Sequence, residues 1–576
     1  MKNKKKTKNV NRKKSMAILG IAFIVLVIAV AALVVRRYAP STERMKLTDY
    51  FVISKDNECA VILNSSYDKS DSEDATNAIM NNGRVYLNLS YLKNKIDDGY
   101  VFDSTENVLR YATDNALVTA NLNSADYTVD RQGQTANDSV IISEGQTFYV
   151  NLDWVKNFSD LQYKTYKKPN RVVIETAGWK RGVATITGNT KIRRNGGVKS
   201  KILQDIKKGT TVTVVENYGK WSKVVSKQGV IGCVENKKLS KQKTSAVKKT
   251  LKERKYNHMK FNGEISLGWH QVNGTAGNAS LTTILNNTKG MNVISPTWYV
   301  IKDNQGNISD YSSAAYVQQC HQKQVQVWAL VSNISNNSVD TTAVLNTTSS
   351  RDNLVNSLIA SAITTNVDGI NVDLESLSGD AKDGYIQFIK ELSLKCEKND
   401  LILSVDNYAP TGSSQHYQRK IQAEYADYLV LMGYDEHYGG SKEAGSVASI
   451  DWVKSGIKNT LDEVPAEQLI LGMPFYTRVW ITDSNGNVTS DAMGMQDAAD
   501  YLSKNQATIS WSDKYGQNYG SFTKDNKTYE CWLEDAKSLS LKLQAMDDNK
   551  LAGGAFWKLG FEPSSIWDTI QQYIGK

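Results

Sequence analysis

The sequence has few of the residues that build metal centres and disulfide frameworks. Its 576 residues include only five cysteines and five histidines. The cysteines are far apart and form no C-x-x-C pair, and no two histidines have the spacing of a metal-ligand pair. These features argue against a zinc cluster, a disulfide-stapled scaffold and metal catalysis. We therefore expect no metal and no cofactor.

Acidic residues are missing from residues 1–37, which contain ten basic ones. The whole chain has a net charge of +9, so the residues after position 37 sum to −1. The basic isoelectric point is therefore a property of one end of the chain. It does not indicate a nucleic-acid-binding surface, and we expect no nucleic-acid partner.

Charged residues are also missing from residues 16–35, a run of 20 residues closed by Arg36 and Arg37. At about 1.5 Å per helical residue this run matches a bilayer core of about 30 Å. The heavier positive charge lies in residues 1–15, which predicts a basic cytoplasmic tail, a transmembrane anchor and an extracellular remainder. The alternative is a cleaved signal peptide, with Ala29-x-Ala31 as its site and a secreted product.

Residues 41–175 contain an internal repeat. The stretch Val85–Asn94 returns 63 residues later as Phe148–Asn157, and each copy follows a glycine. Two copies of a strand, a short helix and a second strand predict one small α+β domain. The repeat resembles the copper amine oxidase N-terminal-like module of Gram-positive surface proteins. Histidine is absent from this segment, so no metal is implied.

Residues 180–240 form a series of short β-like runs separated by glycine turns, such as Val212–Val215 and Gly229–Val234. They resemble a bacterial SH3 domain, a small β-barrel. That resemblance implies a cell-wall peptide as a partner, and the alternative is a spacer. Residues 241–255 are a basic linker, which we expect to be a solvated helix.

From residue 256 to residue 576, β-like runs alternate with helical stretches. This pattern is typical of a (β/α)8 TIM barrel, which makes the C-terminal part of the chain α/β. The eight candidate strands are Glu264–Trp269, Val293–Tyr299, Val325–Val331, Gly369–Glu375, Ile402–Asn407, Tyr428–Tyr434, Leu469–Tyr476 and Gly553–Trp557. The largest insertion, residues 481–550, lies between the last two and should help to wall a cleft.

The fourth candidate strand is unusual because polar residues alternate with apolar ones along it. Alternation places Asn371, Asp373 and Glu375 on one face of the strand. A barrel interior is normally filled with branched apolar side chains. Two carboxyls and an amide pointing into it are costly to bury, and that cost indicates function.

The segment Asp368-Gly369-x-Asn371-x-Asp373-x-Glu375 resembles the D-x-x-D-x-D-x-E motif of family 18 glycoside hydrolases, the chitinase-like enzymes. Asn371 stands where most chitinases have Asp. This departure is similar to the peptidoglycan-acting branch, which includes the spore-cortex N-acetylglucosaminidases. Other strand ends also match the family: Trp298 on the second, Met432, Tyr434 and Asp435 on the sixth, Arg478 on the seventh and Trp557 on the eighth.

The resemblance implies substrate-assisted catalysis, in which the 2-acetamido group of the sugar is the nucleophile. Glu375 would be the general acid, Asp373 would orient the acetamido N–H, and Tyr434 would donate to its oxygen. The substrate-binding residues implied are Asn371, Asp368, Met432, Asp435, Trp557, Arg478 and Trp298. Because an amide cannot exchange a proton with Asp373, Asn371 predicts a single-acid alkaline limb in the rate profile.

The function expected is cleavage of β-1,4-linked N-acetylglucosamine polymers outside the cell membrane, with peptidoglycan favoured over chitin as the partner. One alternative is a lectin-like barrel that binds such polymers without cutting them. Proteins of that kind usually lose the acid, whereas Glu375 is present. A second alternative is an adaptor in which residues 41–240 dock partners and the barrel is scaffold.

Overall fold

The computed structural model describes residues 2–53, 55–70 and 76–574. The chain divides into two compact units. The first contains residues 1–98, 121–126 and 135–253, and the second contains residues 99–120, 127–134 and 254–576. The domain boundaries predicted above stay predictions.

The first unit begins with a helix over Lys2–Tyr38, and its residues from Arg12 to Tyr38 are long and apolar enough to cross a membrane. A signal sequence would satisfy the same criterion. A short helix, Leu47–Phe51, follows.

Two four-stranded sheets lie in the first unit, and the internal repeat forms the centre of one of them. Its strands Arg84–Asn88 and Thr147–Asn151 pair antiparallel, and each runs directly into a helix, Leu89–Lys95 or Leu152–Val155. An asparagine caps each helix start, as the turn from strand to helix requires. The other six strands are Ala60–Leu63, Ser66–Asp68, Ala78–Asn81, Ile141–Glu144, Leu161–Tyr166 and Arg171–Thr176.

A seven-stranded antiparallel sheet completes the first unit. Its strands, in spatial order, are Ile202–Ile206, Thr190–Arg193, Ile231–Glu235, Trp221–Val225, Thr211–Tyr218, Lys180–Thr185 and Lys243–Ala246. The last strand corrects the expectation of a linker helix. Residues 243–246 pair with 180–183 because the sheet edge offers hydrogen-bond partners that an isolated basic helix would lack.

The second unit contains a closed barrel of eight parallel strands, which confirms the predicted TIM barrel. We label them β1 (Ile265–His270), β2 (Val293–Pro296), β3 (Gln326–Ser332), β4 (Gly369–Asp373), β5 (Ile402–Tyr408), β6 (Tyr428–Met432), β7 (Leu469–Pro474) and β8 (Gly553–Trp557). Each strand pairs with the next, and β8 pairs with β1.

Helices cover the outside of the barrel. The longer ones are Leu281–Asn287, Ala314–Gln322, Thr341–Asn346, Thr348–Thr365, Lys382–Glu397, Arg419–Tyr425, Ile450–Leu461 and Ala536–Asp548, and Ile566–Ile570 is the last. A separate apolar cluster fills the lower barrel interior and includes Trp328, Leu330, Tyr428 and Val430. The polar residues of β4 therefore lie above an apolar floor.

Two further sheets belong to the second unit. The insertion between β7 and β8 forms five antiparallel strands, Tyr476–Thr482, Val488–Gly494, Thr508–Ser512, Gln517–Lys524 and Lys527–Leu533, with a helix over Met495–Lys504. The other sheet contains Tyr100–Asp103, Val108–Ala112, Leu117–Asn121, Asp126–Val129 and Gln132–Thr135. From it, the Arg110 guanidinium binds Asp352 at 2.6 Å and Glu391 at 3.1 Å on barrel helices.

Candidate active site

Polar side chains meet at the carboxyl end of the barrel, above the apolar floor. β4 ends at Asp373, and Glu375 follows two residues later at the point where the chain leaves the strand. Asn333, after β3, holds the Glu375 peptide at both ends: its Oδ1 accepts from the Glu375 N–H at 2.8 Å and its Nδ2 donates to the Glu375 carbonyl at 2.9 Å. The backbone of Glu375 is thus fixed by Asn333.

Among the described residues, the Glu375 carboxyl has one side-chain hydrogen-bond partner, Tyr408 at the end of β5. The tyrosine hydroxyl donates a 2.5 Å hydrogen bond to Oε2 of Glu375. Burial raises the pKa of Glu375 above its usual value, Tyr408 lowers it and Asp435 raises it. A half-buried carboxyl of this kind is suited to donate a proton near neutral pH.

Asp373 is 8% exposed, and its Oδ1 has no hydrogen-bond partner among the described residues. Burial raises its pKa well above the usual value, and the carboxyls of Asp406 and Glu375 raise it further. An unpartnered buried oxygen is costly to maintain, so this atom is available to accept from a bound ligand.

Asn371 is fully buried, which corrects the expectation that it binds substrate. Its Oδ1 accepts from Trp269 Nε1 at 2.9 Å and from Ser295 Oγ at 3.0 Å. Its Nδ2 donates to Asp406 Oδ1 at 2.7 Å. Asn371 therefore organises the polar layer from within the barrel.

Tyr434 and Asp435 follow β6 and lie beside the insertion sheet. The Tyr434 ring is 6.2 Å from Tyr476, whose hydroxyl donates to Asp435. Burial raises the pKa of Tyr434 well above its usual value. Tyr476, Asp406 and Asp373 are close enough to Tyr434 to raise this pKa further. Tyr434 is thus brought to the same site as Asp373.

The remaining candidates at the mouth are Met432, Trp557 and Arg478. Met432 ends β6 and is 8% exposed. Trp557 ends β8, is partly exposed, and contacts Trp269 edge-on at 6.0 Å between ring centroids. Arg478 lies two residues beyond Tyr476 on the same strand face and binds Ser490 Oγ at 3.1 Å.

Two predicted substrate-binding residues lie elsewhere. Trp298 is 0% exposed and donates from Nε1 to Asn278 at 2.8 Å, so it is a core residue. Asp368 precedes β4 at the opposite end of the barrel, where its carboxylate binds His321 and accepts from the Val327 N–H. It braces the strand and is too far along it to touch a ligand at the mouth.

Four residues of this site were not predicted from the sequence: Asp406 and Tyr408 on β5, Asn333 after β3, and Trp269. The two β5 residues carried a signal that could have been used. Ser404, Asp406 and Tyr408 recur at every second position, as the polar residues of the β4 motif do, although the polar Asn407 interrupts the alternation with apolar residues. Asn333 carried no such pattern, because its role depends on the path of a loop.

Comparisons with known proteins agree with this geometry. The sequence profile of glycosyl hydrolases family 18 matches residues 269–562, just over half of the chain. The chain belongs to this family. Within family 18, it is 27% identical over 275 residues to the "Putative sporulation-specific glycosylase YdhD" of Bacillus subtilis, covering 46% of this chain and 65% of that protein.

A second relative is the cortical fragment-lytic enzyme of Bacillus subtilis, 25% identical over 232 residues, which cover 39% of this chain and 54% of the enzyme. The chain thus spans between half and two thirds of the length of these two family 18 relatives. The C-terminal domain of a "putative chitinase" from Desulfitobacterium hafniense shares the fold, with a TM-score of 0.50 and 21% identity over 55% of this chain and 100% of that domain.

Proposed function

We propose that the chain is a glycoside hydrolase that cleaves β-1,4-linked N-acetylglucosamine polymers with retention of configuration. The observation that carries the proposal is the pair formed by Glu375 and the unpartnered Oδ1 of Asp373 at the barrel mouth. In a substrate-assisted reaction the enzyme supplies one acid and one group that holds the acetamido nitrogen. This pair offers both.

In the first step, Glu375 gives its proton to the glycosidic oxygen as the C1–O bond breaks. The acetamido carbonyl oxygen bonds to C1 on the opposite face, forming an oxazolinium ion. Asp373 Oδ1 accepts from the acetamido N–H and stabilises the positive charge, and Tyr434 donates to the acetamido oxygen. Glu375 then takes a proton from the water that opens the ring at C1.

Other side chains at the mouth would hold the sugar. Trp557 offers a flat apolar face to the ring at the end of β8. Asp435 and Arg478 would bind sugar hydroxyls, and Met432 would line the acetamido pocket. This assignment leaves out Asp368, Asn371 and Trp298.

Peptidoglycan is the proposed polymer. One relative is a cortical fragment-lytic enzyme, which supports this choice. A groove of about 1110 Å³ in the seven-stranded sheet region supports a cell-wall peptide as a second ligand. None of the described residues that line the groove is acidic, and its basic residues are Lys180, Arg181, Arg194 and Lys223. Arg181 is already ion-paired with Glu175, outside the lining, which leaves three basic residues for a ligand. Such a charge pattern suits a peptide carboxylate.

The proposed location is the outer face of the cell membrane, with residues 16–35, inside the apolar helix, as an uncleaved anchor. The exposed apolar surface of this helix supports it. N-terminal sequencing of the mature chain tests it. An intact N-terminus in the membrane fraction is expected, and a chain cleaved after Ala31 and found in the medium would contradict it.

The test of the hydrolase uses the full chain and its Glu375→Gln variant with purified peptidoglycan and, separately, with chitin oligomers. Products are identified by mass spectrometry. We expect the variant to retain folding and polymer binding and to lose release of reducing ends. Retained turnover would reject the mechanism, and binding without turnover in the unchanged chain would favour the lectin-like alternative.

A further inference from the structure

The fifth barrel strand carries a second row of polar side chains beside the catalytic motif. β4 and β5 pair in parallel, with Asn371 opposite Ser404 and Val372 opposite Val405. One step further along this register, Asp406 lies beside Asp373 on the inward face. Asp406 is 4% exposed.

The amide of Asn371 has one fixed orientation. Its oxygen accepts from the indole N–H of Trp269 and the hydroxyl of Ser295, so its nitrogen must point towards Asp406. The resulting hydrogen bond to Asp406 Oδ1 is 2.7 Å long. Asn371 therefore cannot accept a proton from Asp373, whereas the carboxyl of Asp406 can.

We propose that Asp406 supplies, from β5, the second carboxyl that the β4 motif lacks at position 371, and that Asp373 and Asp406 share one proton. This inference rests on the proposed hydrolase function. With the proton on Asp406, Asp373 keeps its negative charge and faces the acetamido N–H. Asp406 is a positioning residue, since it acts on the substrate through Asp373.

The surroundings of Asp406 favour the singly protonated pair. The titratable groups that face it are Asp373 and Glu375 from the β4 end, Tyr385 on the helix Lys382–Glu397, and Tyr434 after β6. None of these is a cation, so two ionised carboxyls would repel each other in a buried place. Burial raises the pKa of Asp406 to about 8, with Glu375 adding to the shift and Asn371 opposing it.

This pair changes the rate profile expected from Asn371 alone. Ionisation of Asp406 places a second negative charge beside Asp373 and Glu375. The repulsion between these carboxylates then disrupts the geometry of the site. Two groups, Glu375 and Asp406, should therefore lose protons on the alkaline side. We expect log kcat/KM to fall with a limiting slope of −2, where a single acid would give −1.

Asp406→Asn is the informative variant, because an amide reproduces the protonated carboxyl. Its oxygen can accept from Asn371 and its N–H₂ can donate to Asp373. We expect this variant to keep KM within about threefold and to show an alkaline slope of −1. Asp406→Ala removes both bonds, and we expect kcat to fall at least tenfold.

A second measurement does not depend on turnover. Because the pKa of Asp406 is higher in the folded chain than in the unfolded one, the folded state binds an extra proton between about pH 4 and pH 8. The unfolding temperature should therefore fall as the pH rises through that window, and Asp406→Asn should flatten this dependence. Asp427, also buried with a pKa raised to about 7, contributes equally to both chains and cancels in the comparison.

The two proposals can fail separately. A Glu375→Gln chain without activity, whose unfolding temperature still falls as the pH rises, supports both. The fall should be smaller than in the unchanged chain, because the pKa of Glu375 is itself raised and Glu375 adds to the shift of Asp406. If the unchanged chain and Asp406→Asn share one alkaline slope and one pH dependence of unfolding, Asp406 does not share a proton, whatever Glu375 does. If Glu375→Gln stays active while Asp406→Asn flattens the unfolding curve, the hydrolase mechanism fails and the carboxyl pair stands.

Discussion

The hydroxyl of Tyr408 lies 2.5 Å from Oε2 of Glu375 and donates its proton to that oxygen. The two residues come from neighbouring strands, since Tyr408 ends β5 and Glu375 follows β4. This bond favours the ionised carboxyl and so opposes the effect of burial on the pKa of Glu375.

Tyr408→Phe should therefore raise the pKa of Glu375. A general acid works in its protonated form, so the alkaline limb of the kcat profile should move to higher pH. Since a hydrogen bond to a charged group is worth about 1.5–3 kcal/mol, kcat should fall by about tenfold or more. The measurement is a pH–rate profile on chitin oligomers. Tyr438→Phe, an exposed tyrosine, is the control, and an unmoved limb in Tyr408→Phe would contradict the assignment.

Lys542→Met should destabilise the barrel. The Lys542 ammonium lies 2.9 Å and 3.0 Å from the two carboxylate oxygens of Glu534, and both side chains are 0% exposed. Removing one partner of a buried ion pair costs about 3–5 kcal/mol. Thermal unfolding measures the loss, and the exposed Lys454→Met should leave the midpoint unchanged.

The double variant Glu534→Gln/Lys542→Met sharpens the same test. It leaves no uncompensated buried charge, so it should be more stable than Lys542→Met alone. A double variant that unfolds at a lower temperature than the single one would contradict this account.

Arg110→Ala should also destabilise the second unit. The Arg110 guanidinium is buried and binds both Asp352 and Glu391, and Glu391 is 3% exposed. Arg351 still binds Glu391 after the change, so we expect a loss of about 3 kcal/mol at the lower end of the range for buried pairs. The check is the unfolding midpoint, with the exposed Arg131→Ala as control. Equal midpoints would show that the ion pairs of Arg110 add nothing to the stability of the second unit.

The two asparagine helix caps of the repeat should contribute different amounts to the free energy of unfolding. Asn88 is partly exposed, accepts from the N–H groups of Ser90 and Tyr91 and donates to the Thr76 carbonyl. Its replacement by Ala should cost about 1 kcal/mol. Asn151 caps its own helix, is 3% exposed, and also donates to Tyr86 and Ser139. Asn151→Ala should therefore cost more than Asn88→Ala in denaturant unfolding, and the reverse order would contradict the assignment.

The barrel could be predicted from the sequence because each strand is a short apolar run bounded by helical stretches. The position of Glu375 at the carboxyl end of β4 could be predicted as well, since Glu375 continues the alternation of that strand. The hydrogen-bond network around it was harder to foresee. The motif predicts that Asn371 binds substrate, whereas in the structure its buried side chain contacts Trp269 and Ser295.

Two sequence-based expectations differ from the structure, because the local sequence pattern of these residues does not determine their tertiary position. Trp298 sits at a strand end, yet the chain turns it into the core against Tyr316. Residues 243–246 are basic and read as a solvated helix, yet the open edge of a sheet pairs with them. Both outcomes depend on a neighbour distant in sequence, and periodicity within a segment does not report such neighbours.

The apolar floor formed by Trp328, Leu330, Tyr428 and Val430 has a consequence for turnover. It lies below the carboxyls, so the direct route for protons between these groups and solvent runs through the mouth. A glycan seated there would block this route. The proton count of the site would then be set at the moment of binding and would stay constant until the product departs.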